Sequence, residues 1–209
     1  MSQKDVGNKI PIYKLKTTDE VMRYYDDWGI ENKYDKDMED WNYTGPKETS
    51  KIFDKYSKNK KINIYDAGCG TGLVGVELKK YGFSNFYGAD LSQKLLDLVP
   101  RGLYKNLEKT DLNKKINKEK DSYDAVMCVG TFTFGHVKPH ALDEFIRITK
   151  NKGLICFTIN EGIFHEYGFD KKIKQLNEDK IWKEIEFFKS DYIASKDVNA
   201  WLGLYEVIK

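Results

Sequence analysis

A chain of 209 residues with 40% hydrophobic and 14% aromatic side chains can bury one sizeable core, which excludes wholesale disorder and makes one domain the default. Lys and Arg number 35 against 33 Asp and Glu, a formal charge of +2, so composition gives no sign of the concentrated basic face that nucleic-acid or membrane binding needs. Three cysteines, Cys69, Cys128 and Cys156, without Cys-x-x-Cys spacing argue against a disulfide framework and for a reducing compartment.

Residues 1–17 are polar and weakly patterned and read as a loose arm. Their start lacks a signal peptide's apolar stretch, and no run approaches the ~18 apolar residues of a membrane helix. The cytoplasm is the expected location, with the nucleus left open. A helical cap is expected over 18–57: a helix capped by Thr18 or Asp19 and broken at Gly29, a second from Tyr34 to Trp41, a third from Lys47 to Tyr56. The core is expected over 60–209. Strands at 62–65, 85–89, 103–107, 123–129 and 154–159 alternate with helices at 73–81, 93–98 and from Pro139 to about Thr149. A helix over 169–177 and strands at 182–188 and 202–208 follow. The pattern predicts an α/β fold: a doubly wound, mostly parallel seven-stranded sheet of Rossmann-like type in a single domain. Lys runs at 58–61, 114–120 and 171–174 are interleaved with other residues and read as solvated surface.

The segment Asp66-Ala67-Gly68-Cys69-Gly70-Thr71-Gly72 joins the first strand to the helix opening at Leu73. Glycines there let a ligand approach backbone N–H groups at a helix N-terminus. Asp90, ending the second strand, is placed to accept from ribose hydroxyls. Gly70-x-Gly72-x-x-Gly75 matches the dinucleotide pattern, but counted from the strand end, Gly68-x-Gly70-x-x-Leu73 fails it. A carboxylate at Asp66 would repel a pyrophosphate, yet would suit a ligand with an ammonium and a sulfonium. The reading is therefore S-adenosylmethionine. Asp111 and Leu112 follow the third strand and are placed at the adenine, while Leu91 and Cys128, Val129 and Gly130 line the rest of the pocket.

The residues also resemble the methyltransferase-like proteins of the Williams–Beuren syndrome region. The segments that carry the likeness are Tyr25-Asp26-Asp27-Trp28 with Tyr34-Asp35, Asp66 to Leu78, Tyr81-Gly82-Phe83 through Gly88-Ala89-Asp90-Leu91-Ser92, Gly102-Leu103-Tyr104, Tyr123 to Val126, and Val129-Gly130 with Gly135-His136-Val137. The resemblance implies a class I methyltransferase fold, S-adenosylmethionine as methyl donor, and a helical cap whose tyrosines, Tyr25 and Tyr34 here, approach the cofactor. The sequence departs from the pattern at Val99-Pro100 and at Asn151-Lys152-Gly153.

For transfer to an acceptor that must lose a proton, His136 is the candidate base. His136 and His140 stand four apart, but Pro139 between them and the want of a third ligand argue against a metal. No Asn-Pro-Pro-Tyr follows the fourth strand, which disfavours methylation of base or amide nitrogens. The aromatic cap of Tyr24, Tyr25, Trp28, Tyr34, Trp41 and Tyr43 could hold a small apolar or cationic acceptor. The expected protein is a monomeric methyltransferase acting on a small molecule. A cofactor-binding regulatory module and an RNA methyltransferase are the alternatives.

Overall fold

The computed structural model describes Lys14, Leu15 and residues 17–209, so the arm expected over 1–17 lies almost wholly outside the described residues. Helix α1 (Thr18–Trp28) is capped one residue earlier than the sequence indicated. Thr17 accepts from the Glu20 N–H while the Glu20 carboxylate accepts from the Thr17 N–H, so each side chain satisfies a backbone group the other leaves open. A 3-10 turn at Ile30–Asn32 leads to α2 (Lys33–Asp40), and α3 (Gly45–Tyr56) follows. Gly45-Pro46 begin α3 rather than preceding it, because proline's missing N–H costs nothing in a first turn.

The alternating part of the chain forms β1 (Ile64–Ala67), α4 (Leu73–Lys80), β2 (Phe86–Asp90), α5 (Gln93–Leu98), β3 (Asn106–Lys109), β4 (Tyr123–Phe132), α6 (Ala141–Ile148) and β5 (Thr149–Asn160). Then come α7 (Phe169–Glu178), β6 (Trp182–Ile193) and β7 (Val198–Val207). The seven strands make one sheet in the order β3-β2-β1-β4-β5-β7-β6. β1 to β5 are parallel; β7 runs antiparallel to both β5 and β6. The expected doubly wound architecture is present, with the order reversing between β1 and β4.

Both faces of the sheet are buried, which is why its central strands are apolar along their length. On one face Ile64, Ala125 and Met127 meet Phe53 of α3 and Leu78 of α4. On the other, Tyr65, Val126 and Cys128 meet Leu142 and Phe145 of α6 and Phe169 of α7. Helix α3 thus covers the sheet, leaving α1 and α2 as the roof. Trp28 and Met38 carry the roof into the core.

The assignments of β3 to β7 change. β3 begins at Asn106, not Leu103, because Leu103 and Tyr104 are buried beneath the glycine loop instead of pairing. β4 runs on to Phe132 through a bulge. Cys128 pairs with Phe157 and Phe132 with Ile159, so Val129–Thr131 are pushed out of register. The buried Phe132 ring, against Phe145, Phe157 and Phe169, holds the strand beyond that bulge. β5, β6 and β7 are longer than read, extended by mutual pairing. Pro139 lies ahead of α6, in the turn before His140.

Candidate active site

The glycine loop takes its shape from backbone conformations that a side chain would oppose. Gly68, Gly70 and Gly72 all have positive φ. A Cβ at Gly68 would lie 2.0 Å from Thr131 Oγ1. Gly75, the last glycine of the apparent dinucleotide pattern, has a different reason: a Cβ there would meet the Tyr104 hydroxyl at 2.6 Å.

The loop's donors point inward. Gly68 and Cys69 N–H both donate to Ala89 O, Gly72 N–H to Cys69 O, and Gly70 N–H to Asp90 Oδ2 at 2.8 Å. The sequence reading offered such N–H groups to a ligand; at these four residues the protein itself uses them.

Beyond the carboxyl ends of β1, β2 and β4, under α1, lies a cavity partly open to solvent. It brings together Tyr25, Tyr34, Gly68, Gly70, Asp90, Leu91, Asp111, Leu112, Val129, Gly130 and His136 from the residues singled out by sequence. Thr110, Asn113 and Thr131 also line it, each next to a residue that was read. Val21 and Val137 line it as well, and only the placement of α1 and of the segment after β4 reveals them. The lining contains two carboxylates and no Lys or Arg.

Six predicted residues stand outside this wall. Ala67 and Cys128 are fully buried in the sheet. Gly72 caps α4 beneath the loop, where its missing Cβ makes room for Tyr104 and Leu103. Cys69 and Leu73 line a small neighbouring recess. Asp66 is the main correction. β1 ends at Ala67 rather than Asp66, and the Asp66 side chain is buried at 1% exposure. Its Oδ2 accepts from the Tyr104 hydroxyl at 2.5 Å, while its Oδ1 is buried without a partner. Burial pushes this carboxyl up to about 7, against the lowering effect of the Tyr104 hydroxyl.

Asp90, unlike Asp66, does line the cavity. Its carboxylate accepts from Gly70 N–H and from Ser92 N–H at 2.9 Å while lining the cavity, so unused lone pairs remain for hydroxyls of a ligand. Burial raises its pKa, and the N–H groups of Ser92, Gly70 and Leu91 oppose the rise. Asp111 lines the opposite part of the cavity, and its Oδ1 also accepts from Asn113 N–H in a turn.

His136 is held at both ring nitrogens. Nδ1 lies 2.5 Å from Phe134 O, which assigns the proton to Nδ1; Nε2, 3.0 Å from the Tyr25 hydroxyl, accepts from it. Burial brings its pKa down to about 4. The imidazole is therefore neutral, weakly basic and already hydrogen-bonded where a base would act. The reading of His136 as a general base gives way to that of a strut between the segment after β4 and the roof. His140 bonds to Asn113 O and His165 to Asp170. Among the described residues no group of three or more His, Cys, Asp or Glu could hold a metal ion, and no helix is long and apolar enough to cross a membrane.

The roof is tied down by side chains. Ser92 Oγ donates to Asp26 Oδ1 and Thr71 Oγ1 to Asp35 Oδ1, each at 2.6 Å. Beneath it lies a second chamber, partly open to solvent, which shares Tyr25, Tyr34 and Gly130 with the first. Of the six aromatic residues expected there, Tyr24 alone does not line it.

A donor-poor loop and two carboxylates in a lining without Lys or Arg fit a ligand that carries positive charge and hydroxyls, as S-adenosylmethionine does, and do not fit a pyrophosphate. Residues 65–157 match the family model described as a methyltransferase domain. The chain is 27% identical over 169 residues to human methyltransferase-like protein 27, covering 78% of this chain and 68% of that protein. A solved complex between the Haloferax volcanii Trm112 methyltransferase activator and a protein described as a methyltransferase superposes with a TM-score of 0.64 at 18% identity, over 88% of this chain and 98% of the matched one. An S-adenosylmethionine-dependent methyltransferase from Mesorhizobium loti gives 0.56 at 13% identity, over 76% and 96%. Fold, cavity chemistry and domain match together make the chain a class I methyltransferase whose methyl donor is S-adenosylmethionine.

Proposed function

We propose that the larger cavity holds S-adenosylmethionine with Asp90 on the ribose hydroxyls, Asp111 and Leu112 at the adenine, and Val129 and Gly130 beside the methionine part, and that the methyl acceptor is a small molecule. The observation that carries the first half is the pairing of Asp90 and Asp111 in a lining with no Lys or Arg. When bound, S-adenosylmethionine supplies a methyl group activated by its sulfonium. The protein's share is alignment and exclusion of water: Tyr25 and Tyr34 roof the cavity, and the Tyr25–His136 bond holds that roof to the sheet.

A small acceptor is supported by the roof itself, because α1 and α2 leave a recess lined by uncharged side chains rather than a basic groove. We also read the chain as kin of the Williams–Beuren region proteins, on the cap and loop segments that carry that likeness. Calorimetric titration with S-adenosylmethionine tests the proposal. Asp90→Ala is expected to lose roughly 1–3 kcal/mol of binding, the cost of leaving ligand hydroxyls without a buried partner. Unchanged affinity overturns the ribose placement, and absence of binding by the unaltered protein overturns the whole site. Gel filtration of the same sample checks the expected monomer.

A further inference from the structure

The chamber beneath the roof differs in kind from the cavity beside it. None of its lining residues is charged. Trp28 and Trp41 rings lie 5.5 Å apart, and Met38 and Ile193 also line the chamber. One polar group of the lining is unsatisfied. Thr133 Oγ1 is buried with no hydrogen-bond partner, in a side chain only 4% exposed that lines the chamber. A hydroxyl in that state costs free energy unless a ligand completes it.

Gly130 lies on the wall of both spaces. It has φ +83, and a Cβ there would lie 2.6 Å from the Tyr43 hydroxyl. The bulge in β4 turns Gly130 toward both spaces, so a molecule in the chamber meets one in the larger cavity across a residue without a side chain.

We propose that this chamber binds the methyl acceptor, and that the acceptor is an uncharged, planar heteroaromatic compound or arylamine that presents a nitrogen lone pair at Gly130 and a polar substituent to Thr133. The proposal rests on the reading of the larger cavity as the methyl-donor site. Three observations select this class. A lining without charged residues leaves a carboxylate or phosphate unpaired, which excludes anions. A lining of aromatic side chains favours an aromatic body. No available base is at hand: His136 does not line the chamber, and its Nε2 is engaged by Tyr25. The nucleophile must therefore arrive with its lone pair free, as a ring nitrogen or arylamine does at neutral pH and an alkyl ammonium does not.

The transfer then balances without a base. The acceptor nitrogen forms a bond to the methyl carbon as the carbon–sulfur bond breaks, and that electron pair stays on sulfur. The positive charge passes from sulfur to nitrogen. Tyr25 and Tyr34, which line both spaces, offer ring faces to a cation along that path. A ring nitrogen keeps the charge in the product; an arylamine releases a proton to water afterwards.

The test uses 5-hydroxyisoquinoline and isoquinoline-5-carboxylate, titrated into the full chain loaded with S-adenosylhomocysteine and followed by tryptophan fluorescence. Methyl transfer from S-adenosylmethionine is read separately by mass spectrometry. The hydroxy compound is expected to bind and to become N-methylated, and the carboxylate to bind at least about tenfold more weakly. Met38→Trp, which fills the chamber, should abolish binding of the hydroxy compound and leave S-adenosylmethionine affinity unchanged. Thr133→Val keeps the shape and should weaken the hydroxy compound about fivefold. The proposal is overturned if the protein binds S-adenosylmethionine but not the hydroxy compound. Equal affinity for the two probes, or no effect of both substitutions on the hydroxy compound, also overturns it. Failure to bind S-adenosylmethionine at all would instead overturn the donor-site reading.

Discussion

The glycine loop and the helical roof face the same cavity but are held by opposite means. The loop is fixed by backbone: positive φ at Gly68, Gly70 and Gly72, and N–H groups bonded to Ala89, Cys69 and Asp90. The roof is fixed by side chains, through Ser92–Asp26, Thr71–Asp35 and His136–Tyr25. A backbone-built wall fails at once when a side chain intrudes. A side-chain-built wall loosens one contact at a time, which suits the element that must admit a substrate.

The sharpest way to break this contrast is Gly68→Ala. The new Cβ would meet Thr131 Oγ1 in a left-handed backbone, so a loss of about 2–4 kcal/mol is expected in urea unfolding. A loss below about 1 kcal/mol would mean that the loop is not locked by its backbone.

The pH dependence of stability separates the two walls next. Asp66, under the loop, is raised to about 7, so it takes up a proton more readily in the folded state than when unfolded. Its contribution is complete below pH ~4 and is lost as pH rises through 7. His136, against the roof, is lowered to about 4 and resists protonation when folded. Its contribution is complete above pH ~6.5 and is lost as pH falls through 4. The two slopes oppose each other between pH ~4 and ~6.5. Asp66→Asn should therefore make stability rise more steeply with pH across that range, and His136→Phe should make it fall. Parallel curves for both variants would show that neither group titrates as its surroundings imply.

The smallest effect belongs to a single tie of the roof. Asp26→Ala removes the acceptor of the Ser92 hydroxyl, and a loss of about 0.5–1.5 kcal/mol is expected, with faster proteolysis confined to α1. A loss as large as that for Gly68→Ala would erase the distinction between the walls.

Much of the site was legible locally. Gly68 and Gly70 could be read because only glycine tolerates such a loop, and Asp90 and Asp111 because they follow strands of the alternating pattern. Asp66 was misplaced because its burial depends on Tyr104, 38 residues further along the chain, which the loop sequence does not show. Leu103 and Tyr104 looked like strand residues because an apolar pair reads alike whether it pairs in a sheet or plugs a cavity under a loop. His136 looked like a base because a sequence carries no sign of the Tyr25 hydroxyl or of burial.

By itself, the sequence determined the order of strands and helices, the crossover architecture and the positions where the backbone must pass through positive φ. These depend on neighbours a few residues apart. Only the tertiary structure decided which carboxylate lines the cavity, that β4 bulges at Gly130, and that Tyr192 joins Tyr43, Trp28 and Thr133 around a second chamber. Burial, charge environment and an unpaired hydroxyl arise from segments far apart in the chain, so they exist only once the elements have packed.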